Sequence, residues 1–228
     1  MVTAVAARKA GWVDMAGTPH LRGAKRREQI IEATLSLVAE YGVTGTTLSR
    51  IAGEVGVTTP ALYAHFANRK EILLSALDVL IQKRTALHRL VSEGTPIERL
   101  REIGHRHSEL AASENDKSVI ALFEFIAAPP EEGLRETLGH RHLLIVEDIS
   151  QLVREGQREG AILEHVDPQQ VAWMVVSRAW TEDIAQLMGV THEWNRARSD
   201  EMLELILASI AAPQSRKEDC ENETHNDR

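Results

Sequence analysis

The sequence predicts an all-α chain: a three-helix N-terminal module, in which two short helices meet at a turn, followed by a larger helical body. Three observations carry this. Apolar residues recur at helical spacing, prolines and glycines cut the chain into helix-length segments, and nowhere does a period-2 alternation run between hairpin turns. At 228 residues, with 43% hydrophobic and 26% charged content, the chain has the composition of a folded protein with room for two units.

Residues 1–23 read as a flexible arm, and Met15 is a second candidate start because nothing in residues 1–14 looks needed for the fold. The first helix is expected over 24–41, with Ile30, Ala33, Leu37, Val38 and Tyr41 on one face and Gly42 as its stop. In the second, Leu48, Ile51, Ala52 and Val55 stand at i, i+3, i+4 and i+7, Thr47 is the N-cap and Gly56 follows as the C′ residue. A third starts with Thr59 as cap and Pro60 in the first helical position, where a missing N–H costs nothing, and ends near Phe66. Asn68 caps a long fourth helix with Glu71 in capping-box position, and Ile72, Leu73, Ala76, Leu77 and Leu80 form its buried stripe. Further helices are expected over 96–112, 116–127, 131–159 with breaks at Gly133 and Gly139, 168–188 and 195–211. The polar tail 213–228 is expected to be disordered and holds the single cysteine, Cys220, which fits a reducing compartment.

Charge is divided unevenly. Residues 1–70 hold nine Lys and Arg against five Asp and Glu, a balance of +4 that leaves −12 for the rest of a chain whose total is −8. A basic first segment on an acidic body suits a protein that offers one face to phosphate and repels it elsewhere. No apolar run approaches the ~18 residues that span a bilayer, and no signal-like apolar core opens the chain, so a cytoplasmic protein with no membrane partner is expected.

Two short helices joined through Gly56 have the anatomy of a helix-turn-helix. Leu48, Ile51, Ala52, Val55, Val57, Leu62 and Phe66 can close one small core with the first helix, which leaves Thr58, Thr59, Ala61, Tyr63, Ala64 and His65 outward. Small or polar residues at a helix N-terminus reach base edges in a major groove, while a phenol, an imidazole and the Arg69-Lys70 pair can hold phosphates. An ordinary helical hairpin with a polar exterior shares this spacing.

The residues themselves go further. Gly45-Thr46-Thr47-Leu48-Ser49-Arg50-Ile51-Ala52, then Gly56-Val57-Thr58-Thr59-Pro60-Ala61-Leu62-Tyr63-Ala64-His65-Phe66 and Asn68-Arg69-Lys70-Glu71-Ile72-Leu73, closely resembles the DNA-binding signature of the TetR family of bacterial regulators. The likeness covers residues 24–77; the remainder is similar to that family only in helix content and order. The resemblance implies a homodimer that sets two recognition helices in successive major grooves of a palindromic, double-stranded DNA operator. It also implies an inducer pocket whose occupancy alters their separation, in most members of a repressor. Carried onto this sequence, it implies that Thr47 and Tyr63 contact phosphate, that Thr58, Thr59, Pro60 and Ala61 face bases, that His65 touches base or phosphate, and that Arg69 and Lys70 anchor the DNA backbone.

The helices over 168–188 and 195–211 are apolar on more than one side, so one face can serve the chain's own core and the other a second copy. Val176, Met202, Leu205 and Ile206 are expected at a homodimer interface; a well-buried monomer core is the other reading of the pattern alone. For a small-molecule inducer the pocket candidates are His105, Phe123, Trp173 and Trp180, with Phe125, His107, Glu124, Arg178 and Asp183 on the same helices. Residues 24–70 thus form a helix-turn-helix domain and 71–212 a helical ligand-binding and dimerisation domain. His105-Arg106-His107 and His140-Arg141-His142 do not read as metal sites, because side chains two apart on a helix point about 200° away from each other. With no nucleophile elbow, Gly-rich phosphate loop or Cys cluster, neither an enzyme nor a cofactor is expected. A helical adaptor whose first module binds protein instead of DNA is the alternative.

Overall fold

The computed structural model describes residues 19–89, 91, 93–111 and 117–213; the expectations for residues 1–18, for 214–228 and for Cys220 lie outside the described residues. Among the described residues the helices follow in the order α1 (Pro19–Gly45), α2 (Leu48–Glu54), α3 (Thr59–Leu62), α4 (Arg69–Arg89), α5 (Pro96–Ala111), α6 (Ser118–Ile126), α7 (Leu134–Arg158), α8 (Pro168–Leu187) and α9 (Arg196–Ile210). A 3-10 turn, Pro130–Glu132, leads into α7. An isolated antiparallel bridge between Ile162 and Ala211 is the β contact found among the described residues.

Local chemistry accounts for most boundaries. Helix α1 begins at Pro19, earlier than expected, and its helical geometry breaks at Gly42, where φ is 70° and ψ is 172°. A Cβ at Gly42 would lie 2.7 Å from Glu124 Oε2, so the stop is also a point of close approach to α6. Thr47 caps α2 by accepting from Arg50 N at 3.3 Å. The cap of α3 is Thr58 and not Thr59: Thr58 is extended, Thr59 is already helical, and Pro60 sits in the first turn. Regular helix ends at Leu62, and turn bonds from His65 N and Phe66 N to Leu62 O, at 2.9 and 3.0 Å, carry the coil on to Phe66.

Asn68 Oδ1 accepts from Glu71 N at 2.9 Å, and the Glu71 carboxylate closes back on Ala67 N at 2.6 Å, a capping box displaced by one residue. Gly133 does break the chain, in the left-handed region at φ 67°, whereas Gly139 does not: α7 runs through it. One glycine inside a long helix costs only about 1 kcal/mol, which the packing of α7 absorbs.

Two apolar clusters hold the molecule. In the first, Ile51, Leu62 and Phe66 of the short helices pack on Ile30 and Val38 of α1, with Leu48, Val55 and Val57 partly buried at the edge. That cluster does not stop at residue 70; it runs along Leu73 and Leu77 of α4 to Phe125 of α6 and Leu134 and Leu138 of α7. The second gathers Leu100, Val153, Ile162, Val171 and Leu203 around α5, α7, α8 and α9. Trp180 packs against both.

Between α5, α8 and α9 lies a buried polar knot. Arg178, 3% exposed, donates to Glu182 Oε1 at 2.8 Å, to Ser108 Oγ at 2.9 Å, to Gly104 O at 2.9 Å and to Ser199 Oγ. A buried charge is tolerated only when paired and hydrogen-bonded in this way. Gly104 lets the helices close: a Cβ there would stand 2.5 Å from Leu203 Cδ2.

Candidate nucleic-acid interface and ligand cavity

The short helices present a polar face above an apolar one. Leu62 and Phe66 are 1% and 2% exposed, while Tyr63 is 53% exposed. Thr47, Thr58, Pro60, Ala64 and Lys70 are exposed; Thr59, Ala61 and His65 are half-buried. These residues therefore lie around α2, α3 and the start of α4, with side chains that are small or polar at the N-terminal end of α3.

Arginines build the frame beneath that face. Arg27 of α1 donates to His65 O at 2.6 Å, to Ser75 Oγ at 3.0 Å and to Glu71 Oε1 at 3.3 Å, and its guanidinium carbon lies 3.9 Å from the Phe66 ring centroid. It pins the end of the α3 coil to α1 and α4, adding cation–π attraction to the hydrogen bonds. Sequence reasoning missed it, because nothing local links positions 27 and 66. Arg50 stacks over Tyr41 at 4.1 Å and donates to Gly45 O at 2.8 Å.

Arg69, expected to anchor DNA, is bonded within the protein. Its Nε donates to Thr46 O at 2.8 Å, one Nη to Glu132 Oε1 at 2.5 Å and the other to Val43 O. Those bonds reach the carbonyl of Val43 in the last turn of α1 and that of Thr46 just beyond it, and leave the Arg69 side chain 24% exposed. Lys70, its neighbour, remains exposed, with Nζ 3.2 Å from where a Cβ of Gly133 would stand.

A largely apolar cavity of about 90 Å³ lies at the junction of the two clusters. Helix α4 contributes Ile81, Arg84 and Thr85, α5 His107, α6 Leu122, and α7 Leu138, Arg141, His142 and Ile145; α8 contributes Val176, Ala179, Trp180 and Asp183. Arg84 Nη2 donates to both oxygens of Asp183 at 2.6 Å, with side-chain exposures of 10% and 4%. His107 Nε2 lies 3.4 Å from Glu182 Oε2, which links the wall to the buried knot. Trp180 Nε1 is within 3.4 Å of His142 Nε2, and burial pushes the His142 imidazole below the ordinary histidine range.

Of the four pocket candidates, only Trp180 lines this cavity. Phe123 stands behind it, edge-on to Trp180 at 5.7 Å. Trp173 packs on His142 at 5.6 Å but is 41% exposed on the outer face of α8. His105 points elsewhere, into a surface recess with Glu204, Leu205 and Ala208 of α9. Of the neighbours named with them, His107 and Asp183 do line the wall, Arg178 belongs to the buried knot, Glu124 covers Gly42 and Phe125 is core. The missed signal was a stripe: Leu138, Arg141, His142 and Ile145 stand at i, i+3, i+4 and i+7 on α7.

The outer face of α8 and α9 is apolar and exposed: Met174 is 40%, Ile184 43%, Met188 69%, Met202 40% and Leu205 67% exposed. Val176 and Ile206 are corrections to the expected interface, since they are 6% and 5% exposed and belong to the second apolar cluster. Glu102 and His105 have a metal-ligand spacing on α5, but Glu102 is paired with Arg106 at 2.6 Å. Among the described residues no group of three or more His, Cys, Asp or Glu is placed to hold a metal, and no helix is long and apolar enough to cross a membrane.

Residues 30–76 match the family of bacterial regulatory proteins, tetR family, and residues 93–206 match the tetracyclin repressor-like C-terminal domain, so the likeness extends well past the signature into the body. The A-factor receptor protein of Streptomyces griseus is 24% identical over 198 residues, 84% of this chain; the chain spans 66% of that relative's length. The fatty acid metabolism regulator protein of Bacillus subtilis is 24% identical over 184 residues, 80% of this chain and 94% of that one. A TetR transcription regulator from Haloarcula marismortui has a similar structure, with TM-score 0.70 and 20% identity over 82% of this chain and 99% of that chain. AibR, solved in complex with isovaleryl coenzyme A and operator DNA, has TM-score 0.58 and 20% identity over 82% of this chain and 99% of its own. With one domain match on the helix-turn-helix and a second on the helical body, the chain belongs to the TetR family of bacterial regulatory proteins.

Proposed function

We propose that the chain is a cytoplasmic, dimeric transcriptional repressor, not an enzyme, released from a palindromic operator when a small molecule fills the cavity beside Trp180. The observation that carries this is the exposed polar face of α3 above a buried one, with Tyr63 outward and Leu62 and Phe66 inward. In this reading Thr58, Thr59, Pro60 and Ala61 face base edges, while Thr47, Tyr63, His65 and Lys70 hold the strand. The exposed apolar face of α8 and α9 pairs with its copy across a two-fold axis, Met202 and Leu205 included. Support for a ligand-controlled switch comes from the position of the cavity, whose walls include Leu122 and Leu138 of the same cluster that holds α2 and α3. AibR, similar in fold, was solved with both an acyl thioester and operator DNA.

The test is binding of the purified chain to duplex DNA from its own upstream region across a salt series. Tight binding that weakens steeply with salt, far above that to random duplex, supports the repressor. Equal binding to both duplexes, or none, favours the protein-binding adaptor. DNA-bound chain that no cell extract fraction or metabolite pool releases removes the inducer from the reading.

A further inference from the structure

The cavity wall has a particular hydrogen-bond chemistry. Arg84 is nine-tenths buried there, and its Nη2 is occupied by both oxygens of Asp183 at 2.6 Å. Its Nη1 is also buried and has no hydrogen-bond partner. A guanidinium has five N–H donors, and a buried donor left unmade is costly, so the site lacks an acceptor.

His142 adds a second donor. Its Nε2 faces the Trp180 indole N–H at 3.4 Å, and an indole nitrogen only donates, so Nε2 is the accepting nitrogen. The neutral ring then carries its proton on Nδ1, in a side chain that lines the cavity. Burial favours that neutral form.

Charge narrows the choice. The Arg84 cation is already matched by Asp183, so a ligand carboxylate would place two buried anions around one guanidinium. A ligand ammonium would meet Arg84 and, at the rim, Arg141, which is itself paired with Asp78 at 3.1 Å. Beside Thr85 and His107, the side chains of Ile81, Leu122, Leu138, Ile145 and Val176 make most of the wall apolar and favour hydrocarbon. The size, about 90 Å³, suits a ring or branched group of a few carbons rather than a long chain.

Resting on the reading of this cavity as the inducer site, we propose that it takes a small, uncharged, mainly apolar molecule bearing a carbonyl-type acceptor, with that oxygen on Arg84 Nη1 and His142 as the second donor.

Four probes on one ring test this with the full-length dimer: cyclopentanone, cyclopentane, cyclopentanecarboxylate and cyclopentylammonium, followed by calorimetry and by tryptophan emission. Cyclopentanone is expected to bind at least about ten-fold more tightly than each of the others, the size of one net buried hydrogen bond. In the Arg84→Met/Asp183→Leu double variant, which removes the pair together, cyclopentanone and cyclopentane should bind alike. Should that variant fail to fold, Ala179→Leu, which fills the cavity from α8, must abolish ketone binding. Equal affinity for ketone and hydrocarbon in the wild type overturns the proposal, as does a preference for either charged probe, binding of none, or ketone binding that survives Ala179→Leu. Preferential ketone binding with operator affinity unchanged at saturation would leave the ligand class standing and remove the inducer reading instead.

Discussion

Arg69 and Glu132, 63 positions apart, are joined at 2.5 Å, tying the first turn of α4 to the turn that leads into α7. The same guanidinium holds carbonyls at the end of α1, so one side chain fastens the helix-turn-helix to the body. Glu132, in the turn before α7, and Glu124 of α6, which closes on Gly42, are thus two contacts between the body and the helix-turn-helix.

Arg69 and Lys70 should therefore fail differently. Arg69→Ala is expected to lower stability by about 1–3 kcal/mol, since it removes three part-buried hydrogen bonds that join α1, α4 and the turn before α7. Lys70→Ala should keep the melting temperature and weaken operator and random DNA alike, flattening the log–log salt dependence by about one unit per half-site. Thermal melts and salt titrations of both variants check this. An Arg69 variant that melts normally while its salt slope flattens would return that residue to the DNA.

Replacing Thr59 should change which base is preferred at one symmetric pair of operator positions, at a cost of roughly 1–3 kcal/mol against the original site. The operator itself should be an inverted repeat with half-site centres about 34–36 Å apart, or a multiple of that. Selection from a randomised duplex library reads both. A preferred site without two-fold symmetry would count against the dimeric arrangement.

Adjacent residues on α9 should also separate. Leu205 is 67% exposed and Ile206 is 5% exposed. Leu205→Glu should give a folded monomer by light scattering, with helical circular dichroism retained. Ile206→Glu should unfold or aggregate, because it puts a charge into the second cluster. A wild type that is monomeric at micromolar concentration would refute the interface.

The His142 imidazole is held below its ordinary value by burial, so the unfolded chain takes the proton first as pH falls. Its contribution to stability is complete above the unfolded value of 6.5 and declines as pH drops through it. Urea melts at pH 7.5 and 5.5 should show a larger loss for the wild type than for His142→Phe. Identical losses would mean that the ring titrates normally in the folded protein.

Gly104→Ala should destabilise by about 1–3 kcal/mol, since an added methyl in a closed contact forces its neighbours apart. Leu203 is one such neighbour, and Arg178 Nη2, 3.1 Å from that position, is another. A denaturation midpoint equal to that of the wild type would show that α5 and α9 can part freely.

The features legible in the sequence share a short range. Thr47, Pro60, Asn68 and Gly42 act within one helical turn, through a cap, a fixed φ, a hydrogen bond to the third residue on, and a positive φ. They carry the same meaning in a peptide as in a folded chain, and with the periodic apolar faces they determined the all-α class, the helix order and the outward face of α3.

The tertiary structure alone decided which of two plausible partners each long side chain took. Both sides of α8 and α9 are apolar, and periodicity does not say which side is inside, so Val176 and Ile206 went to the core while Met174 and Leu205 stayed out. A cation such as Arg69 reads the same whether it meets phosphate or the carbonyls of Val43 and Thr46. The cavity is a gap among five helices, walled by positions as far apart as Ile81 and Asp183. Helical periodicity specifies a side chain's direction about its own axis; which neighbour lies in that direction depends on how the helices cross, and that is set by the packing of the whole core.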